Sequence, residues 1–277
     1  MEILNGFLPL LPVYKQKHMS TFLFDRIVFG PVRSRRLGVS LGVNLLPPDG
    51  KLCSFNCIYC ECGLNEERRT RTRLPARGEV EKALEGKLRA MQEAGTAPDV
   101  ITFAGNGEPT LHPEFAGIID DTVALRDRYF PAAKIAVLSN ATRIDREDVF
   151  RALLRVDDNI LKLDSVLDSR IRQLDQPNRE TFTFDKLLAG LKRFDSRLIV
   201  QTMFLKGESA GRPVNNMTEA EITGWLEALK EIRPRQVMIY TLDRDTPVKG
   251  LSKASPEEME AIAGRARREG FDVTVSL

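Results

Sequence analysis

The sequence predicts an α/β protein built on a parallel sheet with crossover helices. Short runs rich in β-branched residues alternate with amphipathic segments of helical period, which is the pattern of repeated β/α units. About six consecutive units follow one another, fewer than the eight of a closed barrel. The predicted strands span residues 40–46, 100–103, 134–138, 160–163, 198–204, 236–240 and 273–275.

Several helices between these strands carry recognisable start signals. Thr218 and Glu221 have the spacing of a capping box, and Ser255 and Glu258 repeat it. Asp145 is predicted to cap a further helix. Apolar residues at helical spacing follow each signal and are interpreted as core, including the single tryptophan at position 225.

Length and composition set broad limits on function. The 277 residues fit one large domain or two small ones, and 42% hydrophobic with 29% charged residues is typical of a globular protein. A net charge of +2 gives no sign of a nucleic-acid or membrane partner. No apolar run is long enough to span a membrane.

The beginning of the chain is expected to lie outside the main domain. The apolar stretch 3–13 contains two prolines and lacks the basic residues of a signal peptide, so a reducing cytosol is the expected location. We divide the chain into an extension with the first strand, residues 1–27, and a core domain, residues 28–277. Met19 is a candidate alternative start.

All four cysteines fall within ten residues, 53 to 62. Cys53, Cys57 and Cys60 have x3 and x2 spacing, which allows one loop to bind three irons of a cubic iron–sulfur cluster and leaves the fourth iron open. An open position is typical of catalytic metal centres. The alternative is a zinc knuckle that uses all four, although zinc ligands usually come as two separated pairs. Cys62 is either a free thiol or a fourth ligand in a resting state.

Polar residues follow the ends of the predicted strands. In parallel α/β folds the carboxyl ends of the strands form one edge, where loops converge and sites are built. We therefore expect one site at this edge. Its candidate residues are the cysteine loop with Tyr59, then Gly105, Asn106, Gly107, Glu108, Ser139, Asn140, Lys162, Asp164, Gln201 and Tyr240.

Two motifs in order resemble the radical S-adenosylmethionine (radical SAM) superfamily. The first is Cys-x3-Cys-x2-Cys with Tyr59 before the last cysteine, and the second is the Gly-Asn-Gly-Glu-Pro segment 105–109. Residues 30–47 are also similar to a group of compact iron–sulfur oxidoreductases related to the wyosine-forming tRNA enzymes. Those enzymes carry a second cysteine set, which this sequence lacks before the first.

The resemblance implies a partial (β/α)6 barrel with the cluster at the carboxyl edge of the parallel sheet. It also implies a 4Fe-4S cluster held by Cys53, Cys57 and Cys60, with S-adenosylmethionine (SAM) on the open iron. Reductive cleavage of SAM would give a 5′-deoxyadenosyl radical that takes hydrogen from a substrate. The alternative of another class is a non-catalytic iron–sulfur or zinc protein.

The resemblance also implies roles for the first polar residues at the edge. The carbonyls of Gly105 and Gly107, with Glu108, are expected to accept hydrogen bonds from the methionine ammonium of SAM, and Asn106 stands between the glycines. Ser139 and Asn140 would bind the ribose or the methionine carboxylate. Their alternative is a helix cap or a turn.

The remaining polar residues lie further along the sheet. Asp164 is expected to bind ribose hydroxyls and Lys162 the methionine carboxylate, unless the two form an ion pair. Tyr59 would contact adenine. Gln201 and Tyr240 would line the SAM or substrate pocket, or pack in the core.

Partners are predicted only by class. The resemblance implies a low-potential electron donor of the flavodoxin or ferredoxin type, and the substrate is either an RNA nucleoside or a peptide or protein. We expect a monomer with no membrane partner. Two basic stretches could clamp a substrate anion or be solvated loops, and interleaved glutamates favour a solvated loop for the second. They contain Arg33, Arg35 and Arg36, and then Arg68, Arg69, Arg71, Arg73 and Arg77.

Overall fold

The computed structural model describes residues 22–34, 37–67 and 69–277. Met19, the candidate alternative start, lies outside these residues, as do the arginines at positions 35, 36 and 68. The strands are β1 (Val28–Ser34), β2 (Gly38–Val43), β3 (Val100–Phe103), β4 (Lys134–Ser139), β5 (Asp158–Lys162), β6 (Ile199–Met203), β7 (Leu205–Ser209), β8 (Arg212–Asn215), β9 (Gln236–Tyr240), β10 (Leu251–Lys253) and β11 (Val273–Ser276).

The helices lie between the strands, as expected for crossover connections. They are α1 (Arg77–Glu93), α2 (Phe115–Tyr129), α3 (Glu147–Leu153), α4 (Asp168–Leu174), α5 (Phe184–Lys192), α6 (Glu219–Ile232) and α7 (Pro256–Arg268), with a short 3-10 helix at Pro109–Leu111. Each of the six intervals between successive parallel strands contains at least one α-helix.

The main sheet has eight strands in the order β1-β2-β3-β4-β5-β6-β9-β11. Strand β1 pairs antiparallel with β2, and every other neighbouring pair is parallel. All seven strands predicted from the sequence are present. The prediction of an α/β partial barrel is therefore confirmed. Among the described residues the first strand is β1, which begins at Val28, one residue after the segment predicted to contain it.

Side chains alternate between the two faces of the sheet. One face packs against the helices in the largest hydrophobic cluster, which contains Leu41, Ile101, Val137, Leu161 and Val200. The opposite face carries a smaller aliphatic cluster near the amino ends of the strands, formed by Val100, Ala136, Ile160, Ile199 and Met238. The polar residues of interest continue along that inner face toward the carboxyl ends.

Helix caps confirm one predicted signal and correct two others. Ser255 and Glu258 form the predicted capping box of α7. Thr218 caps α6 through the amide of Glu221, but the Glu221 carboxylate is buried and accepts a hydrogen bond from Ser165 instead of closing the box. The predicted cap by Asp145 is wrong because α3 begins two residues later, with no side-chain cap.

A second sheet was not predicted. Strands β10, β7 and β8 form a three-stranded antiparallel sheet beside the carboxyl edge of the main sheet. These strands are three to five residues long and lie among three glycines with positive φ, so their sequence lacks a clear alternating pattern.

Candidate functional site

The cysteine loop lies directly against the glycine-containing segment that follows β3. Leu52 forms a bridge to Gly107, with hydrogen bonds from the Leu52 amide to the Asn106 carbonyl (2.9 Å) and from the Glu108 amide to the Leu52 carbonyl (3.0 Å). Gly107 has φ of 135°, and a Cβ there would overlap the Leu52 carbonyl. Glycine at position 107 therefore brings the first cysteine beside the carboxyl end of β3.

The four thiols are enclosed to different degrees. Cys57 and Cys62 are buried, whereas Cys53 and Cys60 are half-buried. Hydrophobic side chains surround them, including Phe55, Ile58 and Leu242. Among the described residues, no three His, Cys, Asp or Glu side chains converge closely enough to hold one metal ion. A cubic cluster does not need such convergence, because each cysteine binds a different iron.

Lys51 is a buried cation beside the cysteines, and the sequence analysis did not single it out. Its side chain is 4% exposed and its Nζ donates a hydrogen bond to the Gly63 carbonyl at 2.7 Å. Burial alone would lower the pKa of Lys51, but the nearby thiols of Cys60, Cys53 and Cys57 raise it above its usual value. A lysine that stays charged here favours thiolates, the form of cysteine that binds iron.

Cys60 and Cys62 form a hydrogen-bonded pair. The hydrogen bond from Cys62 lowers the pKa of Cys60, with a further contribution from Lys51, and the same contact raises the pKa of Cys62. Cys62 also donates to the carbonyl of Gly105 at 3.4 Å. These pKa directions favour Cys60 as the thiolate of the pair and Cys62 as the thiol, whose single S–H is shared between Cys60 and the Gly105 carbonyl.

Glu108 accepts hydrogen bonds from three neighbours on one side of the cysteine loop. This group is here called the glutamate side (Glu108, Thr110, Ser139, Asn140). Glu108 Oε1 accepts hydrogen bonds from the amide and hydroxyl of Thr110 and from Ser139 Oγ at 2.8 Å. Its Oε2 accepts one from the Asn140 amide at 2.6 Å. Burial raises the pKa of Glu108, although these hydrogen bonds oppose the rise. All donors on this side are neutral groups.

Asn140 connects the glutamate side to the first cysteine. Its Nδ2 donates to Cys53 Sγ at 3.6 Å and to Ser54 Oγ at 2.9 Å. Thr142 completes the group, because its hydroxyl hydrogen-bonds both Ser54 and the Asn140 side chain. The structure therefore brings Glu108, Ser139 and Asn140 together beside Cys53. Ser54 and Thr142 were missed, since hydroxyl residues in loops carry no distinctive sequence signal.

Asn106 has a structural task within the segment that follows β3. It is fully buried, and its Nδ2 donates to the carbonyls of Phe24 and Pro47 while its Oδ1 accepts from the Phe24 amide. Both amide hydrogens of the side chain are therefore used within the protein. The backbone of Asn106 is engaged as well, because its amide donates to Asn44 Oδ1 and its carbonyl accepts from the Leu52 amide, so no donor of Asn106 is left for the predicted contact with a cofactor.

The other side of the cysteine loop carries opposite charges and is here called the lysine side (Tyr59, Lys162, Asp164, Asp175). Lys162 Nζ lies 2.9 Å from Asp164 Oδ2 and 3.9 Å from Asp175 Oδ1. The Tyr59 hydroxyl hydrogen-bonds Lys162, Asp164 and Asp175. The ion pair considered as an alternative for Lys162 and Asp164 is thus present in this structure.

Asp175 links the lysine side to the second cysteine. Cys57 Sγ donates to Asp175 Oδ1 at 3.4 Å, and the amide of Asn56 donates to the Asp175 carbonyl at 2.8 Å. Burial raises the pKa of Tyr59 well above its usual value, and the carboxylates of Asp164 and Asp175 add to this rise. Asp175 ends α4, a helix that the sequence did not predict, so its position could not be anticipated.

Gln201 and Tyr240 lie on the same inner face. Gln201 is the β6 partner of Lys162 in β5, and its side chain is 7% exposed. Tyr240 packs against the hydrophobic residues around Cys57 and Tyr59. Every predicted site residue therefore lies at the carboxyl edge, although the side chain of Asn106 points away toward Phe24.

The basic stretches are paired in part with acidic residues. Arg73 forms a two-point ion pair with Glu79, and Arg77 does the same with Asp121. These contacts agree with the solvated-loop interpretation. No helix in the described part of the chain is long and apolar enough to cross a membrane.

A sequence model of the radical SAM superfamily matches residues 48–211. The chain is 31% identical over 245 residues to a protein named GTPase Obg from Brachyspira hyodysenteriae, covering 88% of this chain and 34% of that protein. It is 32% identical over 241 residues to a UPF0026 protein of Methanocaldococcus jannaschii, covering 85% of this chain and 68% of that protein. The chain thus spans about a third of the first relative and two thirds of the second.

Solved structures share the fold at low sequence identity. A radical SAM methyltransferase from Sphaerobacter thermophilus has a TM-score of 0.62 at 20% identity, with 86% of this chain and 65% of that chain covered. Streptococcus suis SuiB bound to S-adenosylmethionine has a TM-score of 0.59 at 14% identity, covering 83% and 49%. A TYW1 structure with a lysine-pyruvate adduct has a TM-score of 0.56 at 15% identity, covering 83% and 73%.

Proposed function

The chain belongs to the radical SAM superfamily and to the UPF0026 family and is an enzyme, and from this premise we propose that it cleaves SAM at a 4Fe-4S cluster held by Cys53, Cys57 and Cys60. When bound, such a cluster with one open iron supplies the electron that splits SAM into methionine and a 5′-deoxyadenosyl radical, which abstracts hydrogen from the substrate. The observation that carries the proposal is the position of these three cysteines in one loop, between the glutamate side and the lysine side.

The residues present fit such a cluster by the chemistry of their donors. Three thiols are the ligands that iron–sulfur clusters take, and the loop leaves the fourth position to a molecule other than the protein. Lys51 offsets the negative charge of the thiolates. Asn140 donates a hydrogen bond to Cys53, and hydrogen bonds of this kind tune bound sulfur. The surrounding apolar side chains exclude water.

The flanking residues would bind and orient SAM. Gly105, Gly107 and Glu108 lie where the methionine ammonium is proposed to bind, and the burial of Glu108 keeps its carboxylate in a fixed position. Glu108 Oε1 already accepts three hydrogen bonds, whereas Oε2 accepts only the one from the Asn140 amide. Oε2 is therefore the atom proposed to accept from the methionine ammonium, and Glu108 also orients Ser139 and Asn140.

The lysine side is proposed to receive the rest of the molecule. Lys162 would turn from its ion pair toward the methionine carboxylate, while Asp164 accepts ribose hydroxyls. Tyr59 would contact the adenine ring, and Gln201 offers an amide on the adjoining strand. Asp175 holds the Tyr59 hydroxyl and so fixes the direction of this aromatic ring.

The experiment that tests this function is production of 5′-deoxyadenosine. Anaerobically reconstituted protein would be mixed with dithionite and SAM, and the nucleoside measured by mass spectrometry. We expect nucleoside from protein that holds about four iron and four sulfide per chain. Absence of nucleoside from such protein would refute the proposal. Stoichiometric zinc without sulfide would favour the zinc knuckle instead.

We also propose that the electron comes from a low-potential flavodoxin or ferredoxin in the cytoplasm, and that the enzyme acts as a monomer. The half-buried Cys60 gives such a donor short access to the cysteine loop. Reduced flavodoxin should replace dithionite in the nucleoside assay. Failure of both flavodoxin and ferredoxin, with dithionite still active, would contradict this part of the proposal.

A further inference from the structure

Strand β10 forms one edge of the three-stranded sheet. Within the described residues it pairs with β7 alone, with Ser252 opposite Lys206. The amide of Glu208 donates to the Gly250 carbonyl at 3.0 Å, which makes these two residues a hydrogen-bonded pair. Because such pairs alternate along an antiparallel ladder, the main-chain groups of Leu251 and Lys253 point away from β7.

The outward side of β10 borders a cavity of about 460 Å³. Leu251 and Lys253 line it, together with Arg244, Thr246 and Lys249 of the loop between β9 and β10. The cavity therefore borders the outward main-chain groups of β10. Its charged lining is mixed, with Arg244, Lys249 and Lys253 against Asp243 and Asp245, and Lys253 lies on β10 itself.

This cavity adjoins the cysteine loop. Arg244 forms an ion pair with Glu61 at 2.7 Å, and the amide of Val248 donates to the carbonyl of Ile58 at 3.4 Å. Val248 and Leu251 also pack against the hydrophobic cluster that contains Cys57 and Tyr59. A molecule in the cavity would thus lie next to the loop that carries the proposed cluster ligands.

The lining selects one class of molecule. An outward row of N–H and C=O groups at a sheet edge pairs with an extended polypeptide. Lys249 and Lys253 are exposed cations that complement acidic side chains. Single-stranded RNA fits less well, because the described lining contains no aromatic residue on which a base could stack.

We propose that an extended acidic peptide segment of the substrate pairs with the outward edge of β10 and so delivers a peptide or protein substrate to the cysteine loop. This inference rests on the proposed radical SAM function, because it names the substrate class for that site. It makes Lys249 and Lys253 specificity-determining residues.

The test uses a fluorescent peptide of alternating glutamate and valine, with binding to the full chain followed by anisotropy. We expect saturable binding that weakens about fivefold or more in the double variant Lys249→Glu/Lys253→Glu. Lys82→Glu, an exposed charge reversal on α1, is the matched control and should bind like the unaltered protein. In hydrogen exchange, the amides of Leu251 and Lys253 should become protected when the peptide binds.

A second pair of variants tests the main-chain contact. Lys253→Ala keeps the outward N–H, whereas Lys253→Pro removes it without removing a hydrogen bond to β7. Lys253→Pro should bind the peptide more weakly than Lys253→Ala, with circular dichroism confirming that both are folded. If the proline variant is unfolded, the exchange experiment on the unaltered protein decides the question.

Any of the following results would overturn the inference. The first is tighter binding of an oligouridylate of matched length than of the acidic peptide. The second is peptide binding without protection at residues 251 and 253, or no binding up to about 1 mM. The third is protection that rises with protein concentration alone, which would assign the edge to a second copy of the chain. Nucleoside formation by the unaltered enzyme without peptide tests the proposed function separately.

Discussion

The glutamate side and the lysine side hold the same cysteine loop by different electrostatic means. On the glutamate side one buried carboxylate is surrounded by neutral donors, and Asn140 extends this network to Cys53. On the lysine side Lys162 balances Asp164 and Asp175, and Asp175 contacts Cys57. Loss of a neutral hydrogen bond costs much less than an uncompensated buried charge. We therefore expect the lysine side to be the less tolerant of substitution.

The largest expected effect comes from substitution of Cys57, the cysteine that hydrogen-bonds Asp175 on the lysine side. Cys57→Ala should reduce the iron content from about four per chain to background, because a proposed ligand is lost. Nucleoside formation should disappear with it. Iron and sulfide analysis after reconstitution measures the effect, and near-normal iron in this variant would contradict the ligand assignment.

In the cluster-free protein, Lys162→Met should show how much stability is lost when the lysine side loses its cation. The substitution leaves Asp164 and Asp175 buried without their cation, and we expect the free energy of unfolding to fall by about 3–5 kcal/mol. Urea denaturation measures this change. Lys192→Met, which removes an exposed ion pair with Glu231, is the control and should cost no more than about 1 kcal/mol. Equal losses in both variants would show that the buried ion pair of the lysine side contributes no more to stability than an exposed one.

Glu108→Gln should affect stability less, because the neighbours of Glu108 are neutral. We expect a loss of about 1–3 kcal/mol below pH 4.5, since one acceptor is replaced by a donor. Burial raises the pKa of Glu108 above 4.5, so the folded state holds its proton more tightly than the unfolded state. The stabilisation from this group is therefore complete below pH 4.5 and falls as pH rises through the raised pKa.

The pH dependence gives Glu108→Gln a distinctive signature. Glutamine cannot titrate, so the difference in unfolding free energy between the two proteins should narrow as pH rises above 4.5. Urea titrations at several pH values measure this difference. A gap that widens with pH would show that the hydrogen bonds outweigh burial and lower the pKa.

The smallest effect is expected for Cys62→Ala. The single S–H of Cys62 is shared between the Gly105 carbonyl and Cys60, and Cys62 is not a proposed ligand, so iron content should remain near that of the unaltered protein. A modest rise in the KM for SAM is expected from the loss of the contact with Gly105. Loss of the cluster in this variant would make Cys62 a ligand and overturn the three-cysteine assignment.

Local sequence patterns predicted much of the fold. Strands β3 and β9 match their predicted bounds, because short apolar runs between clear helix signals have little freedom to shift. The second sheet was missed because its strands are short and contain or adjoin glycines. Strands β7 and β8 form a hairpin across Ala210 and Gly211, whereas β10 pairs with β7 from a distant part of the chain that a local pattern does not connect to it. Glu221 has the spacing of a capping box but bonds to Ser165, a contact between residues far apart in sequence.

By itself, the sequence determined the order of the strands along the chain, the thiol spacing and the polar residues that end each strand. These features depend on neighbouring residues, so they can be recognised without the fold. Tertiary structure alone decided that Lys51 lies among the thiols, that Asp175 contacts Cys57 and that β10 is an edge strand, within the part of the chain that the structure describes, beside the cysteine loop. Buried charges and sheet edges are set by which distant segments pack together, and packing is a property of the whole chain.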